Sequence, residues 1–195
     1  MILNDRSSTL ALLETRRSGR PRDMIAPGPS DIELERILAI AARTPDHGKL
    51  TPWRFITVAL GQRKALADLL ARALAEHDPN ATPAHHAKAL EFAHQAPSLV
   101  VVVSAPIANH KIPLWEQHLS AGAAAMNLLI ATHATGYVGG WITGWQTYSE
   151  TVRAAFCAPG ERIVGFLFLG SPRHALEERE RAPLATLVRQ WTPSA

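Results

Sequence analysis

Residues 43–55 read RTPDHGKLTPWRF, a polar segment that lies between two contrasting hydrophobic patterns. Before it, residues 30–33 form a capping-box signature, and apolar side chains then recur at helical spacing to about Arg43. After it, the side chains of residues 54–60 alternate as they do in a strand. The segment is therefore predicted to be a proline-bounded polar loop that joins a helix to a strand.

The rest of the chain supplies further helices and strands around this loop. A short helix over residues 8–15, with Leu10, Leu12 and Leu13 facing inward, leads into the basic sequence RRSGR at residues 16–20. The elements predicted beyond the loop are helices over 62–77 and 83–95, a strand over 99–103, a helix over 113–135, a strand over 137–143, a helix capped at Ser149 and a strand over 162–170. Helices that often occur in pairs between the strands favour an α+β fold over regular βαβ winding. No linker or repeat divides the chain, so residues 1–195 are predicted to form a single domain.

Two of these elements predict a buried centre. Residues 99–103 are a continuous β-branched run, which is typical of a strand buried on both faces. The second half of the helix over 113–135 is rich in alanine and apolar on nearly all sides. Such a surface is too apolar for solvent, so we expect this helix at the centre of the fold or of a dimer.

Composition excludes several classes of protein. The 195 residues carry 20 Lys and Arg against 17 Asp and Glu, without the basic stripe that is typical of nucleic-acid-binding proteins. No segment approaches the roughly 20 apolar residues of a membrane span. The single cysteine, Cys157, leaves no internal disulfide, and the opening residues lack the apolar run of a signal peptide. We therefore expect a cytoplasmic protein without nucleic-acid or membrane partners.

Common catalytic motifs are missing from the sequence. It contains no GxGxxG after a strand, no P-loop lysine, no GxSxG, no HExxH and no cysteine pair, which argues against hydrolase and kinase functions. His85, His86 and His94 lack the spacing of metal ligands, so no metal site is predicted.

The basic sequence at residues 16–20 is a candidate anion site. The guanidinium groups of Arg16, Arg17 and Arg20, with the hydroxyl of Ser18, suit bidentate binding of a phosphate. A solvated basic surface at the end of a helix is the alternative.

Two further segments can contact a planar ligand. In the proline-bounded loop, Arg43 and residues 45–47 can direct backbone groups toward the edge of a heterocycle, although a lone histidine such as His47 is more often structural. Residues 138–144, VGGWITG, have glycines that permit close approach and Trp141 to cover an aromatic ring, although a tight strand with a bulge would look the same. A second basic pair, Arg179 and Arg181, would by itself be a solvated tail.

Together these segments resemble the nitroreductase family, and especially its compact NAD(P)H-dependent branch, in order and spacing over nearly the whole chain. Residues 43–55 are similar to that family's (A/S)P(S/D)xxNxQPW-type loop. Residues 109–122 are similar to the segment that leads into the dimer-forming helix, and residues 164–172 to the last core strand.

The resemblance implies a set of residues that contact FMN. These are Arg16, Arg17, Ser18, Arg20, Arg43, Pro45, Asp46, His47, Trp141, Ile142, Thr143, Arg179 and Arg181. Within this set, the N-terminal Arg-Arg-Ser grips the phosphate and ribityl chain, and Arg20 lies near the N1/O2 edge of the flavin, where it would stabilise negative charge on the reduced ring. Ile142 stands where close relatives can carry arginine, so contact there would be through the backbone.

The same resemblance associates the end of the central helix with the nicotinamide, without distinguishing NADH from NADPH. The residues concerned are Ala131, Thr132, His133, Ala134, Thr135 and Gly136.

As a member of this family, the protein would have a mixed or antiparallel sheet flanked by helices, with the central helix in the interface of a homodimer and FMN bound at that interface. NAD(P)H would reduce the flavin, which would then reduce a nitroaromatic, a quinone or a similar electrophile in a ping-pong cycle. No side chain is assigned as an obligatory acid or base, because hydride passes directly to the flavin. The alternatives are a non-catalytic flavin-binding protein of the same fold and, with little support from the charge, a DNA-binding protein.

Overall fold

The computed structural model describes residues 2–193, which form a five-stranded sheet with helices on both faces. The strands are β1 (Met24–Ile25), β2 (Trp53–Thr57), β3 (Ser98–Ser104), β4 (Val138–Ile142) and β5 (Arg162–Pro172). The helices are α1 (Thr9–Thr15), α2 (Asp31–Ala41), α3 (Arg63–His77), α4 (Pro83–His94), α5 (Leu114–Ala134), α6 (Trp145–Tyr148), α7 (Glu150–Phe156) and α8 (Leu184–Leu187). None of the helices in this described part of the chain has the length and apolar character to cross a membrane.

The sheet is antiparallel throughout the described residues. Its order is β1-β5-β3-β2, and β4 also pairs with β5. The predicted α+β class is thereby confirmed. The sequence did not predict β1, because its pairing comprises only Met24 with Pro172 and Ile25 with Ser171, too short a segment for a hydrophobic period.

β3 lies at the centre of the core, as its continuous β-branched sequence predicted. Leu99, Val101 and Val103 belong to one hydrophobic cluster with residues of α3 and α4, whereas Val100 and Val102 belong to a second cluster with residues of α2 and α5. The sheet therefore separates two apolar layers. Because both faces of β3 are buried, its sequence does not alternate between polar and apolar residues.

α5 occupies the centre of the second layer. Its residues Ala121, Ala124, Ala125 and Leu128 are fully buried, and its contacts extend to α2 and to the sheet. The small side chains allow the backbone of α5 to lie close to its neighbours, which confirms that the alanine-rich stretch is a core element of the fold.

The prediction for α1 was wrong in part. Of its three leucines only Leu12 is buried, whereas Leu10 and Leu13 are 65% and 50% exposed. Leu10 and Leu13 are three residues apart and share one side of the helix, while Leu12 points to the other side. A short helix that packs through only one of its sides cannot bury all three leucines.

The packing of α2 in the second apolar layer can be tested with two of its isoleucines. Ile37 of α2 is fully buried against α5 and the sheet, whereas Ile32 on the same helix is 81% exposed. We expect Ile37→Ala to lower the free energy of unfolding by about 2 to 5 kcal/mol, because it removes buried methyl groups and leaves a cavity. Urea denaturation should show a much smaller loss for Ile32→Ala, and equal losses would contradict this packing.

Candidate functional site

The basic sequence at residues 16–20 lies against β4. The Gly19 amide donates a hydrogen bond of 3.1 Å to the Gly139 carbonyl oxygen. A Cβ at Gly140 would lie 2.6 Å from the Gly19 carbonyl oxygen, and one at Gly139 would lie 2.8 Å from the side chain of Leu129. The paired glycines of β4 therefore permit close approach of the basic segment and of α5, a role the sequence did not distinguish from ligand contact.

Arg16, Arg17, Ser18 and Arg181 form what we call the basic cluster. Arg16 Nη1 donates to Ser18 Oγ at 3.3 Å, and Arg181 Nη2 donates to the Arg16 carbonyl oxygen at 3.3 Å. Partial burial, together with the charges of Arg181 and Arg17, lowers the pKa of Arg16. Glu178 pairs with Arg181 at 3.2 Å, and no carboxylate in residues 2–193 lies within ion-pair distance of Arg16. The arrangement suits an anion, which would relieve the repulsion between these cations.

Arg17 is held in place by Asn4, a residue that the sequence gave no reason to select. Asn4 Oδ1 accepts from the Arg17 amide at 2.7 Å, and Asn4 Nδ2 donates to the Arg17 carbonyl oxygen at 3.1 Å. The Arg17 guanidinium turns toward the C-terminal segment, where Nε donates to the Glu177 carbonyl oxygen at 2.7 Å. Arg17 therefore joins the two ends of the chain at the basic cluster.

The other two arginines predicted to contact FMN in these segments, Arg20 and Arg179, lie outside the basic cluster. Arg20 is exposed and lines a cavity of about 260 Å³ that Arg17 and Ser18 also line. Arg179 is exposed and bonds Glu178 only through its backbone amide. Of the C-terminal pair, the structure thus brings Arg181 and not Arg179 to the cluster.

The proline-bounded loop is organised by a carboxylate. Asp46 Oδ1 accepts from the Leu50 amide at 2.6 Å, and Asp46 Oδ2 accepts from the Thr51 amide at 3.3 Å. Gly48, Lys49 and Thr51 have φ angles of +84°, +56° and +47°. A β-branched residue such as Thr51 rarely adopts this left-handed conformation, and such strain concentrates at functional sites.

This loop is attached to the first half and middle of α5. Ser120 Oγ donates to the Pro45 carbonyl oxygen at 2.8 Å, Asn127 Nδ2 donates to Thr44 Oγ1 at 2.7 Å, and His47 Nδ1 lies 2.8 Å from Glu116 Oε2. These partners are distant in sequence, so no local pattern could reveal them.

Within one chain, the loop and the basic cluster are apart. The charge of Arg16 acts on His133, whereas the loop is attached to α5 at Glu116, Ser120 and Asn127, about 9 to 26 Å earlier along the helix axis. Arg43 is exposed at the start of the loop. The predicted residues thus form two groups that share α5 as a support.

The half-buried indole of Trp141, predicted to cover a ligand ring, also contacts the neighbouring strand. Its Nε1 donates to the Val164 carbonyl oxygen at 3.0 Å, and a Cβ at Gly165 would lie 2.1 Å from that nitrogen. The indole is thus packed across the sheet. The Ile142 side chain packs against the other hydrophobic layer, and Thr143 is exposed. Residues 141–143 can therefore offer a ligand their backbone and the exposed side chain of Thr143.

The end of α5 fits the nicotinamide prediction only in part. Ala131, Thr132 and His133 are buried, whereas Ala134 and Gly136 are exposed. Thr132 Oγ1 donates to the Leu128 carbonyl oxygen at 2.8 Å, which leaves its hydroxyl engaged inside the helix. Ala131 packs in the hydrophobic core, whereas His133 and Gly136 line a cavity of about 380 Å³.

His133 is the unusual group of this region. Its side chain is fully buried, and neither ring nitrogen has a hydrogen-bond partner in the described residues. Burial, with a smaller contribution from the charge of Arg16, lowers its pKa to about 4, and the nearby Tyr137 backbone opposes this shift. The sequence around His133 is an alanine-rich helix, which does not indicate that its imidazole is buried without a hydrogen-bond partner.

A family model and two relatives all point to the same family. The family model described as Nitroreductase family matches residues 13–171. The protein named "Putative NAD(P)H nitroreductase YdjA" of Escherichia coli is 37% identical over 167 residues, which are 84% of this chain and 88% of that protein. A Haemophilus influenzae protein named "Putative NAD(P)H nitroreductase" is 37% identical over 174 residues, 88% of this chain and 91% of that protein.

Solved structures show the same fold at lower identity. A nitroreductase-like family protein from Bacillus cereus aligns with a TM-score of 0.79 and 21% identity, over 95% of this chain and 97% of that one. A Desulfovibrio desulfuricans structure, titled as a nitroreductase in complex with FMN, aligns with a TM-score of 0.71 and 22% identity, over 97% of this chain and 100% of that one.

The buried His133 predicts a pH dependence of stability. Between pH 6.5 and about 4 the unfolded chain binds a proton at this imidazole that the folded chain does not, so stability falls as the pH falls through this range. The full loss would be about 3 kcal/mol. We expect His133→Leu to flatten the fall in the free energy of unfolding, measured by urea denaturation from pH 7 to pH 4.

The exposed His94→Leu serves as the matched control for loss of an imidazole, and its pH profile should follow that of the wild type. A His133→Leu profile as steep as the wild-type profile would contradict a buried neutral imidazole.

Proposed function

Because this chain belongs to the nitroreductase family, we propose that it is an FMN-dependent NAD(P)H oxidoreductase that acts as a homodimer with FMN at the subunit interface. The observation that supports this most is the basic cluster. Arg16 and Arg181, 165 residues apart in sequence, meet beside Ser18 with Arg16 unpaired among residues 2–193. A phosphate is the anion that this donor set fits best.

Each group of predicted residues then has a role. Arg16, Ser18 and Arg181 bind the FMN phosphate, Arg17 links the ends of the chain behind it, and Arg20 faces the N1/O2 edge of the ring. The backbone of residues 141–143 contacts the ring. Arg179 is left as a solvated neighbour of this site.

The proline-bounded loop contributes from the other subunit. The loop is attached to α5 about 9 to 26 Å before His133, the residue on which the charge of Arg16 acts, so a different part of the helix supports it. In a dimer packed through α5, Arg43 and residues 45–47 of one chain would meet the flavin bound by the other. The Asp46 contacts keep the loop backbone in the conformation that presents these groups.

Bound FMN supplies the redox chemistry, in which hydride from NADH or NADPH is passed on to a nitroaromatic, a quinone or a similar electrophile in a ping-pong cycle. The chain's own residues bind and orient the cofactor, and Arg20 stabilises negative charge at the ring edge. No side chain is needed as an acid or base, since water can supply protons. A non-catalytic flavin-binding protein is the alternative, and oxidation of NAD(P)H by the purified protein with menadione as acceptor separates the two.

The exposed apolar side chains support the dimer. What we call the C-terminal stripe comprises four apolar residues in and after the short helix α8, all 62–82% exposed: Leu184, Leu187, Val188 and Trp191. Trp115 and Leu119, in the first half of α5, are also exposed. Exposed apolar groups of this size and number mark association, and a homodimer is the commonest form that it takes.

The phosphate assignment predicts a selective loss of affinity. Arg16→Ala removes a charge-assisted contact, so FMN binding should weaken by about 30- to 1,000-fold, or roughly 2 to 4 kcal/mol. Riboflavin has the same ring without the phosphate, and its weaker binding should hardly change. Flavin fluorescence quenching measures both affinities.

The exposed Arg22→Ala is the matched control, since it removes a guanidinium from the same part of the chain outside the basic cluster. If FMN and riboflavin affinities fall together in Arg16→Ala, Arg16 supports the fold or the ring. If neither changes, the cluster is a solvated surface.

The dimer proposal predicts the effect of charge in the C-terminal stripe. We expect sedimentation to show a dimer at micromolar concentration and Leu187→Asp combined with Trp191→Asp to weaken it at least tenfold, because two carboxylates would enter an apolar interface. Leu60→Asp, at a similarly exposed leucine between β2 and α3, is the control and should leave the dimer intact. A wild-type monomer with FMN bound would end this proposal.

A further inference from the structure

A cavity of about 580 Å³ lies between α3, α4 and α6, among elements that pack on the opposite sheet face from α5. Its apolar walls come from Leu70 and Leu74 of α3, Ala89 and Phe92 of α4, and Trp145 of α6. Its polar groups are those of His77, Asp78, His85, Lys88 and Gln146. None of these residues belongs to the basic cluster or to the proline-bounded loop.

The walls of this cavity are fixed by packing. Phe92 meets Phe166 and Phe168 edge-on, with ring centroids 5.3 and 5.1 Å apart. His77 stacks on Trp145 with ring centroids 5.5 Å apart and an angle of 21° between the planes. The aromatic rings therefore keep their orientation without a ligand.

A buried arginine, Arg63, joins the two long helices beside the cavity. The Arg63 guanidinium, at the start of α3, donates to the Ala93 carbonyl oxygen at 2.9 Å and to the Gln95 carbonyl oxygen at 3.3 Å, at the end of α4. It also donates to the Val58 carbonyl oxygen at 3.1 Å, after β2. These hydrogen bonds join the start of α3 to the end of α4, next to the buried apolar side chains that pack between the two helices.

The cavity is lined by one carboxylate, that of Asp78, and one ammonium, that of Lys88. Asp78 Oδ1 accepts from the Asn80 amide at 3.1 Å, and Asp78 Oδ2 lies 3.9 Å from His85 Nδ1. Lys88 has no carboxylate within ion-pair distance among residues 2–193. An occupant can therefore pair its own anionic group with Lys88 without displacing an existing ion pair.

We propose that this cavity is a second ligand site that binds a planar aromatic carboxylate, with the ring between Phe92 and Trp145 and the carboxylate at Lys88. The volume falls within the roughly 300 to 1,000 Å³ of small-molecule sites, and mostly apolar walls with a few polar groups are typical of them. Offset or edge contacts with fixed aromatic rings favour a flat ring. The ammonium of Lys88 selects the sign of the charge.

The test uses the purified protein saturated with FMN and 1-naphthoate as the probe, with binding measured by calorimetry. We expect saturable binding that weakens at least tenfold in Lys88→Met. Lys64→Met, at an exposed lysine of α3 that does not line the cavity, is the matched control and should bind as the wild type does. The charge-reversed probe 1-naphthylmethylammonium should bind at least tenfold more weakly than 1-naphthoate.

A second variant tests the location independently of charge. Ala89→Leu places a larger side chain in the cavity wall and should abolish 1-naphthoate binding, with circular dichroism and the thermal midpoint reporting that the fold is kept. Binding that persists in both Lys88→Met and Ala89→Leu would place the probe elsewhere and overturn the proposal, as would no wild-type binding at millimolar probe. FMN affinity is measured separately, so failure here leaves the proposed function untouched.

Discussion

The hydrogen bonding of β5 is the constraint on which the rest of the structure depends. Residues 166–169 of this strand pair with both β3 and β4, and its last two residues pair with β1. β5 therefore fixes where β4 ends and where the chain leaves the sheet at Thr143. It also returns the chain to the N-terminal segment, so that Arg181 reaches Arg16. Groups that are far apart in sequence meet because one strand binds three others.

Local signals in the sequence predicted much of the fold. The capping box at the start of α2 is formed as expected: the Glu33 amide donates to Ser30 Oγ, and Glu33 Oε2 accepts from the Ser30 amide. The Ser149 cap of α7 is formed as well. These features involve residues three apart, so the sequence contains all of the interaction. The buried face of α1 depends on contacts with distant segments, and there the local pattern misled.

The candidate site shows the same division. The sequence identified both the basic cluster and the proline-bounded loop. Arginines close together indicate an anion site, and prolines at both ends of a polar segment indicate a loop, so residue type and spacing were enough. Their partners did not follow from the sequence. Asn4 holds Arg17, and α5 holds the loop through Ser120 and Asn127. Side chains that position others are ordinary in type, and only the folded chain shows what they contact.

The contact between Trp141 and Gly165 has a consequence for how this protein can change over evolutionary time. The indole occupies the space that a Cβ at position 165 would need, so the effect of a substitution at one site depends on the residue at the other. A side chain can arise at 165 without a clash only in a lineage that has first reduced Trp141, whereas the reverse order passes through a damaged intermediate. The two positions are epistatic: sequences that lack Gly165 should usually lack Trp141 as well, whereas Gly165 can be kept after Trp141 is lost.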